Sequence, residues 1–182
     1  SYLLKAQKGQ FTGCLAPFGY RKDPEDKNHL LIDEETAPIV RRLFAWALEG
    51  HGPNYIRRRL EEEKIPCPTY WNRVRGLRNV STKWEKKDPV NGRYIWDFSV
   101  IKDILMNPVY TGAIASQKKE YRFKIGTIGE KKPEEWIVVE NQHEPLVDRK
   151  TFDIVQRKLK SRQRPRQTGE ISLFAGLLKC GE

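Results

Sequence analysis

Cations and aromatics alternate through residues 69–95 of this 182-residue chain. Arg73, Arg75, Arg78, Lys83, Lys86, Lys87 and Arg93 are threaded among Tyr70, Trp71, Trp84 and Tyr94. Side chains of these two kinds suit one chemistry above others. Guanidinium and ammonium groups neutralise phosphates and release their counterions, while indole and phenol rings stack on bases or wedge between them. Basic residues recur at Lys5, Lys8, Arg21 and Lys102 and at Arg162, Arg164 and Arg166, and the net charge is +10. Acidic blocks at residues 23–35 and 133–148 separate the basic ones. That polarisation suggests one side turned to a polyanion and another to solvent, where an even mixture would read only as a soluble surface.

Other chemistries find little support. His29, His51 and His143 lie far apart, and no two of Cys14, Cys67 and Cys180 share a Cys-x-x-Cys spacing, so no complete tetrahedral zinc site is visible. Leu177-Leu178-Lys179-Cys180-Gly181-Glu182 has the form of a zinc ribbon's opening with Cys180 as a single metal ligand, although a lone cysteine is more often a small hydrophobe. Ser81 follows Arg78-Asn79-Val80 with no acid–base partner placed beside it, which fits a surface serine better than a nucleophile. There is no glycine-rich phosphate loop, no carboxylate pair in an apolar setting and no dinucleotide fingerprint. No catalytic residue and no cofactor is therefore expected of this chain. Three scattered cysteines are not a disulfide framework, no apolar run approaches the ~20 residues that cross a bilayer, and no signal peptide opens the chain. The expectation is a soluble, intracellular protein that faces nucleic acid.

Such side chains need a scaffold, and with 38% hydrophobic residues the chain can bury one. Asp33 is a candidate helix cap, with Glu34 and Glu35 in the first turn and Val40, Leu43, Phe44, Ala47 and Leu48 on the buried stripe before Gly50. Pro53 opens a second helix with Ile56 and Leu60 inward, ending near Lys64. Residues 69–95 show no helical period. Asp97 then caps a short third helix with Phe98, Ile101, Ile104 and Leu105 inward and Ser99, Lys102, Asp103 and Met106 outward. Strands are expected at 109–116, 121–125 and 136–140. Asp148 caps a last helix with Phe152, Val155 and Leu159 inward and a cationic outer face. The fold class is α+β: a helix-turn-helix-like helical cluster, a small antiparallel β-sheet and a C-terminal helix.

The ordered set of motifs resembles a family. Pro17-Phe18-Gly19-Tyr20, Ala37, Ile39-Val40, Phe44, Gly50, Ile56, Leu60 and Ile65-Pro66 are similar to the central "recombinase" domain of large serine site-specific recombinases (phage integrases and mobile-element transposases). Trp96, Val100, Ile104-Leu105, Asn107-Pro108-Val109-Tyr110-Thr111-Gly112 and His143-Glu144-Pro145-Leu146-Val147 continue the likeness. Phe174-Ala175-Gly176-Leu177-Leu178-Lys179-Cys180-Gly181 resembles the start of that family's zinc ribbon. The resemblance implies four segments: 1–16 a connector from a catalytic domain, 17–161 the DNA-binding domain, 162–170 a basic linker, and 171–182 the beginning of a zinc ribbon.

It also implies a function. The parent would be a recombinase that cleaves DNA through phosphoserine linkages, dimeric on its site and tetrameric in synapsis, with zinc in its ribbon. This chain would supply sequence-specific binding of double-stranded DNA at an attachment site, in the cytoplasm of a bacterium and without a membrane. On that reading Lys5, Lys8, Gln10 and Arg21 follow the minor groove. Ser99 and Lys102 approach base edges and phosphates together with Arg73, Arg75, Arg78, Lys83, Lys86, Lys87 and Arg93. Arg162, Arg164 and Arg166 track the backbone. The alternative from the aromatics is an RNA or single-stranded nucleic-acid-binding module.

Overall fold

The computed structural model describes residues 2–77, 88, 90–122 and 127–161. Helix α1 (Tyr2–Gln7) precedes a hairpin of β1 (Tyr20–Lys22) and β2 (Leu30–Ile32), and three helices follow: α2 (Ala37–Glu49), α3 (Pro53–Glu62) and α4 (Pro68–Val74). After a 3₁₀ turn (Gly92–Tyr94) come α5 (Phe98–Met106), a second 3₁₀ turn (Pro108–Thr111), strands β3 (Ile114–Ser116), β4 (Lys119–Arg122), β5 (Thr127–Glu130) and β6 (Ile137–Val139), and α6 (Arg149–Ser161). The strands form three antiparallel pairs, β1 with β2, β3 with β6 and β4 with β5. In the second pair Ile114 faces Val139 and Ser116 faces Ile137.

The expected helical cluster is present: α2, α3 and α5 pack on one another, and α6 closes over α2 and α5. Val40, Leu43, Phe44 and Ala47 of α2, Ile56 and Leu60 of α3, Ile101 and Leu105 of α5, and Val155 of α6 share one core with Trp96 and Tyr110. Polar tips inside that core are satisfied. The Trp96 indole N–H donates to the Ile65 carbonyl at 2.8 Å, and the Tyr110 hydroxyl donates to the Phe18 carbonyl at 2.9 Å. Helix ends are tied across elements as well. Gly50, at φ 101°, stops α2, and Lys158 of α6 donates to the Leu48 carbonyl there at 2.6 Å, a cation on the negative end of the dipole. The Gln156 amide donates to the Leu105 carbonyl at the end of α5 at 2.6 Å.

Several expectations need correction. Helix α2 starts at Ala37 with Thr36 at its N-cap, because the Asp33 side chain is engaged elsewhere and Glu34 and Glu35 lie in the turn before the helix. Residues 68–74 form a helix that apolar periodicity could not announce, since α4 buries none of its residues. Phe98 is 44% exposed, not inward. Leu48 is also exposed. The strand expected from residue 109 begins at Ile114: Asn107 accepts the Val109 N–H on its side chain, and the chain turns through Pro108–Thr111 first. Pairing of β4 with β5 replaces the single strand expected at 121–125. The β1–β2 hairpin, three residues a side, was too short to read. Asp97 does stand at the N-cap of α5, without a capping bond from its side chain, whereas the Asp148 carboxylate accepts the Thr151 N–H at 2.9 Å as expected.

Candidate nucleic-acid interface

Of the elements carrying candidate cations, β1 and the Gly92–Tyr94 turn meet α4. Its N-cap residue Cys67 donates its backbone N–H to the Arg93 carbonyl at 2.8 Å, tying the 3₁₀ turn to the start of the helix. Its C-terminal end is tied to the hairpin. Arg75 Nη1 donates to Asp33 Oδ2 at 2.6 Å, and Nη2 donates to Asp33 Oδ1 at 3.2 Å and to Glu35 Oε2 at 2.6 Å. The guanidinium lies over the Trp71 ring, 5.3 Å from its centroid. Asp33, just after β2, also accepts the Thr36 hydroxyl proton, and Thr36 Oγ1 in turn accepts the Gly19 N–H at 3.2 Å. Burial pushes the Asp33 carboxyl up, but the hydrogen bonds from Arg75 and Thr36 outweigh it and hold the group below the ordinary carboxylate range. The Asp33 hydrogen bond raises Arg75 further, against the opposing effect of burial.

A cleft of about 260 Å³ separates α4 from β1, lined among others by Arg21, Lys22, Asn72, Arg75 and Leu77. Lys22 is bound inward: its Nζ donates to the Gly13 carbonyl at 2.6 Å and sits 5.6 Å from the centre of the Phe11 ring. The Phe11 N–H donates to the Asn28 carbonyl at 2.8 Å, so the connector runs along the hairpin. Arg21, the residue before Lys22 in the strand, is exposed, as are Lys5 and Lys8; Gln10 is half-buried. Residues 1–16, expected as a connector, include the fully buried Ala6, and α1 rests against β6.

Arg93 has different surroundings. Its guanidinium carbon lies 5.0 Å from the Tyr94 ring centre and 5.9 Å from that of Tyr70. Nε is buried without an acceptor. On α5, Ser99 is exposed and Lys102 half-buried, and the same helix exposes Phe98, Asp103 and Met106. The structure thus gathers Arg21, Arg73, Arg75 and Arg93 about α4. Ser99 and Lys102 stand on a helix packed chiefly against α3, and Lys5 and Lys8 join the cluster only through the connector. Arg78, Lys83, Lys86, Lys87, Arg162, Arg164, Arg166 and Cys180 lie outside the described residues. Sequence reasoning missed the acidic partners of Arg75 and the tyrosines around Arg93. An acidic turn ahead of a helix, a Tyr three residues after Cys67 and another directly after Arg93 carry no periodic signal. Among the described residues, no group of three or more His, Cys, Asp or Glu side chains could hold a metal, and no helix is long and apolar enough to cross a membrane.

Comparison with known proteins places the chain in a family. The model of the family described as Recombinase matches residues 34–162, well over half of the chain, from the turn after β2 through α6. The chain belongs to the Recombinase family. The resemblance to the central domain of large serine recombinases therefore stands, and with it the α+β fold of this recombinase domain. An uncharacterised protein of Bacillus subtilis, YefB, is 37% identical over 87 residues, covering 47% of this chain and 29% of YefB. Two solved structures share the fold. A crystal structure of an LSR–DNA complex covers 92% of the recombinase domain chain at TM-score 0.52 and 15% identity, this chain spanning 40% of that one. A structure concerning the sequence requirements of the Listeria innocua prophage attP site covers 87% at TM-score 0.52 and 16% identity, this chain spanning 49% of that one. The chain thus spans under a third of YefB and under half of each solved relative.

Proposed function

We propose that this recombinase domain binds double-stranded DNA sequence-specifically at an attachment site. It does so in the cytoplasm, as part of a serine recombinase that integrates, excises or transposes DNA. The observation that carries the reading is the convergence of Arg21, Arg73 and Arg93 on α4, beside a helical cluster whose short helix α5 exposes Ser99. Cations on rigid elements approach a phosphate backbone at low entropic cost, and a short exposed helix suits a major groove. That one solved relative is a DNA complex and the other concerns a prophage attP site supports the same partner. The single-strand alternative needs free ring faces for stacking. Here Trp71 is covered by Arg75, and Tyr70 and Tyr94 are engaged by Arg93, which favours the duplex.

In this reading the chain's residues hold and read DNA, and the phosphodiester chemistry belongs to a serine elsewhere in the parent; no residue of this chain is assigned as nucleophile. Zinc belongs to the parent's ribbon, with Cys180 as one ligand, and the described residues furnish no set for it. No step of the DNA contact runs through the metal. The test is selection of duplexes from a randomised pool, followed by titration of the selected duplex, its scrambled version and its separate strands at several salt concentrations. We expect preference for the selected duplex, with log K falling against log salt by about 0.9 per phosphate neutralised, and neither nicking nor a covalent adduct. Equal affinity for selected and scrambled duplex would remove specific recognition, and tighter binding to single strands would favour the alternative.

A further inference from the structure

Two arginines that flank α4 face opposite chemistry, and the difference assigns them different roles; the inference rests on the duplex-binding reading above. Arg75 has three of its four Nη N–H donors committed. Both Nη atoms are taken by Asp33, and Nη2 also by Glu35. A base edge or phosphate that captured this guanidinium would strand Asp33, whose side chain is only 7% exposed, as an uncompensated buried charge. It would also be brought next to two carboxylates. Arg75 is built into the protein.

Arg93 is built the other way. Its backbone is fixed by the bond from the Cys67 N–H to its carbonyl, on the turn Gly92–Tyr94. Tyr70 and Tyr94 hold the guanidinium by ring contacts, an attraction that acts on the face of the group and leaves its in-plane N–H donors unused. Nε is closed off by packing, so the remaining donors are the Nη pair, which no hydrogen bond or ion pair engages among the described residues. A cation that cannot swing is poorly suited to following a phosphate and well suited to a planar pair of acceptors at fixed spacing. In duplex DNA that pair is O6 and N7 of guanine in the major groove.

We infer that Arg93 is the arginine with which this face reads a guanine, that Tyr70 and Tyr94 are its positioning residues, and that Arg75 is a strut holding α4 to the hairpin. The experiment uses the full chain and the duplex selected from the randomised pool, and it reads the base preference at every position. Arg93→Lys keeps the charge; it should abolish preference at one G·C pair, by about tenfold or more, with the salt slope unchanged. Replacing that guanine by 7-deazaguanine, which lacks the N7 acceptor, should weaken wild-type binding and leave Arg93→Lys unaffected. Tyr94→Leu should blunt preference at the same pair. Arg75→Lys should lower the melting temperature and weaken all duplexes by one factor, with the preference profile unchanged.

A wild-type chain that selects a duplex while Arg93→Lys retains its full profile would overturn the inference alone and mark Arg93 as a phosphate contact. So would a change at one base pair from Arg75→Lys. If Arg93→Lys fails to fold, the wild-type protein decides on modified duplexes: indifference to 7-deazaguanine at every selected guanine refutes guanine reading. A wild type that selects nothing overturns both readings together.

Discussion

Removing the Arg75 side chain tests the link between the hairpin and α4 directly. In Arg75→Ala the Asp33 carboxylate keeps the Thr36 hydroxyl but loses its bidentate partner in a site where only 7% of the side chain is exposed. Loss of one member of a fully buried pair costs about 3–5 kcal/mol. The Arg75 side chain is 30% exposed, so water can reach the vacated position, and we expect about 2 kcal/mol. At ~2–4 °C per kcal/mol for a chain of this size, the melting temperature should fall by about 4–8 °C near neutral pH. The pH dependence is the sharper check. Asp33 is held below its unfolded value, so its contribution is present above that value and is lost as pH falls through the folded one. The gap between wild type and Arg75→Ala should therefore be widest near neutrality and narrow as pH falls from about 5 toward 3. Asp33→Asn should show the same flattening, and in the double variant the losses should be less than additive. Thermal melts followed by circular dichroism across that range decide it. A gap that stays constant with pH, or double losses that add in full, would refute the claim that the two side chains act as a pair.

Other consequences follow from single contacts. Gly112 sits at φ +85° with the His143 carbonyl oxygen only 2.9 Å from where a β-carbon would stand; Gly112→Ala should cost at least ~1–2 kcal/mol in urea denaturation, because backbone must move. Trp96→Phe leaves the half-buried Ile65 carbonyl without its donor and opens a void beside Phe18, so we expect a loss of about 2–4 kcal/mol by the same measurement. Burial holds His143 below its ordinary range, opposed by the bond from Nε2 to the Val109 carbonyl at 2.7 Å, and leaves Nδ1 without a partner. The unfolded chain therefore binds the proton more readily, and stability should fall as pH drops below about 6.5; His143→Gln should flatten that slope, and a slope that survives the substitution would assign it to other groups.

What could be read in advance divides along physical lines. Helices α2, α3, α5 and α6 were legible because Val40, Leu43 and Phe44, or Phe152 and Val155, recur with the period that a single buried face imposes. Helix α4 was not, because it is held by ends and ion pairs: Cys67 to Arg93 at one end, Arg75 to Asp33 at the other. Such ties join residues 26 to 42 positions apart and leave no local pattern. The candidate site was legible as a type of chemistry, since composition reports cations and rings. Its division of labour was not. Arg75 and Arg93 look alike in the sequence, and only the folded chain puts carboxylates against one and tyrosines against the other.

The same sorting extends to the other arginines among the described residues. Glu63 takes both Arg42 and Arg59, Glu62 takes Arg58, and Glu140 and Asp153 take Arg149. Exposed pairs of this kind contribute little to stability, yet they cancel field, so the outer sides of α2, α3 and the start of α6 attract a polyanion weakly. Arg41 and Arg57 stand on those same helices among Glu49, Glu62 and Glu63, which dilutes them further. Among the described residues, no ion pair engages Lys5, Lys8, Arg21, Arg93 or Lys102. On the duplex-binding reading proposed above, DNA approaching at low salt is drawn toward α1, the hairpin and the turn before α5 more than toward the Arg-rich helix α3, although α3 has three consecutive arginines. Local sequence density of positive charge is a poor guide to where DNA docks; the charge left after internal pairing is the better one.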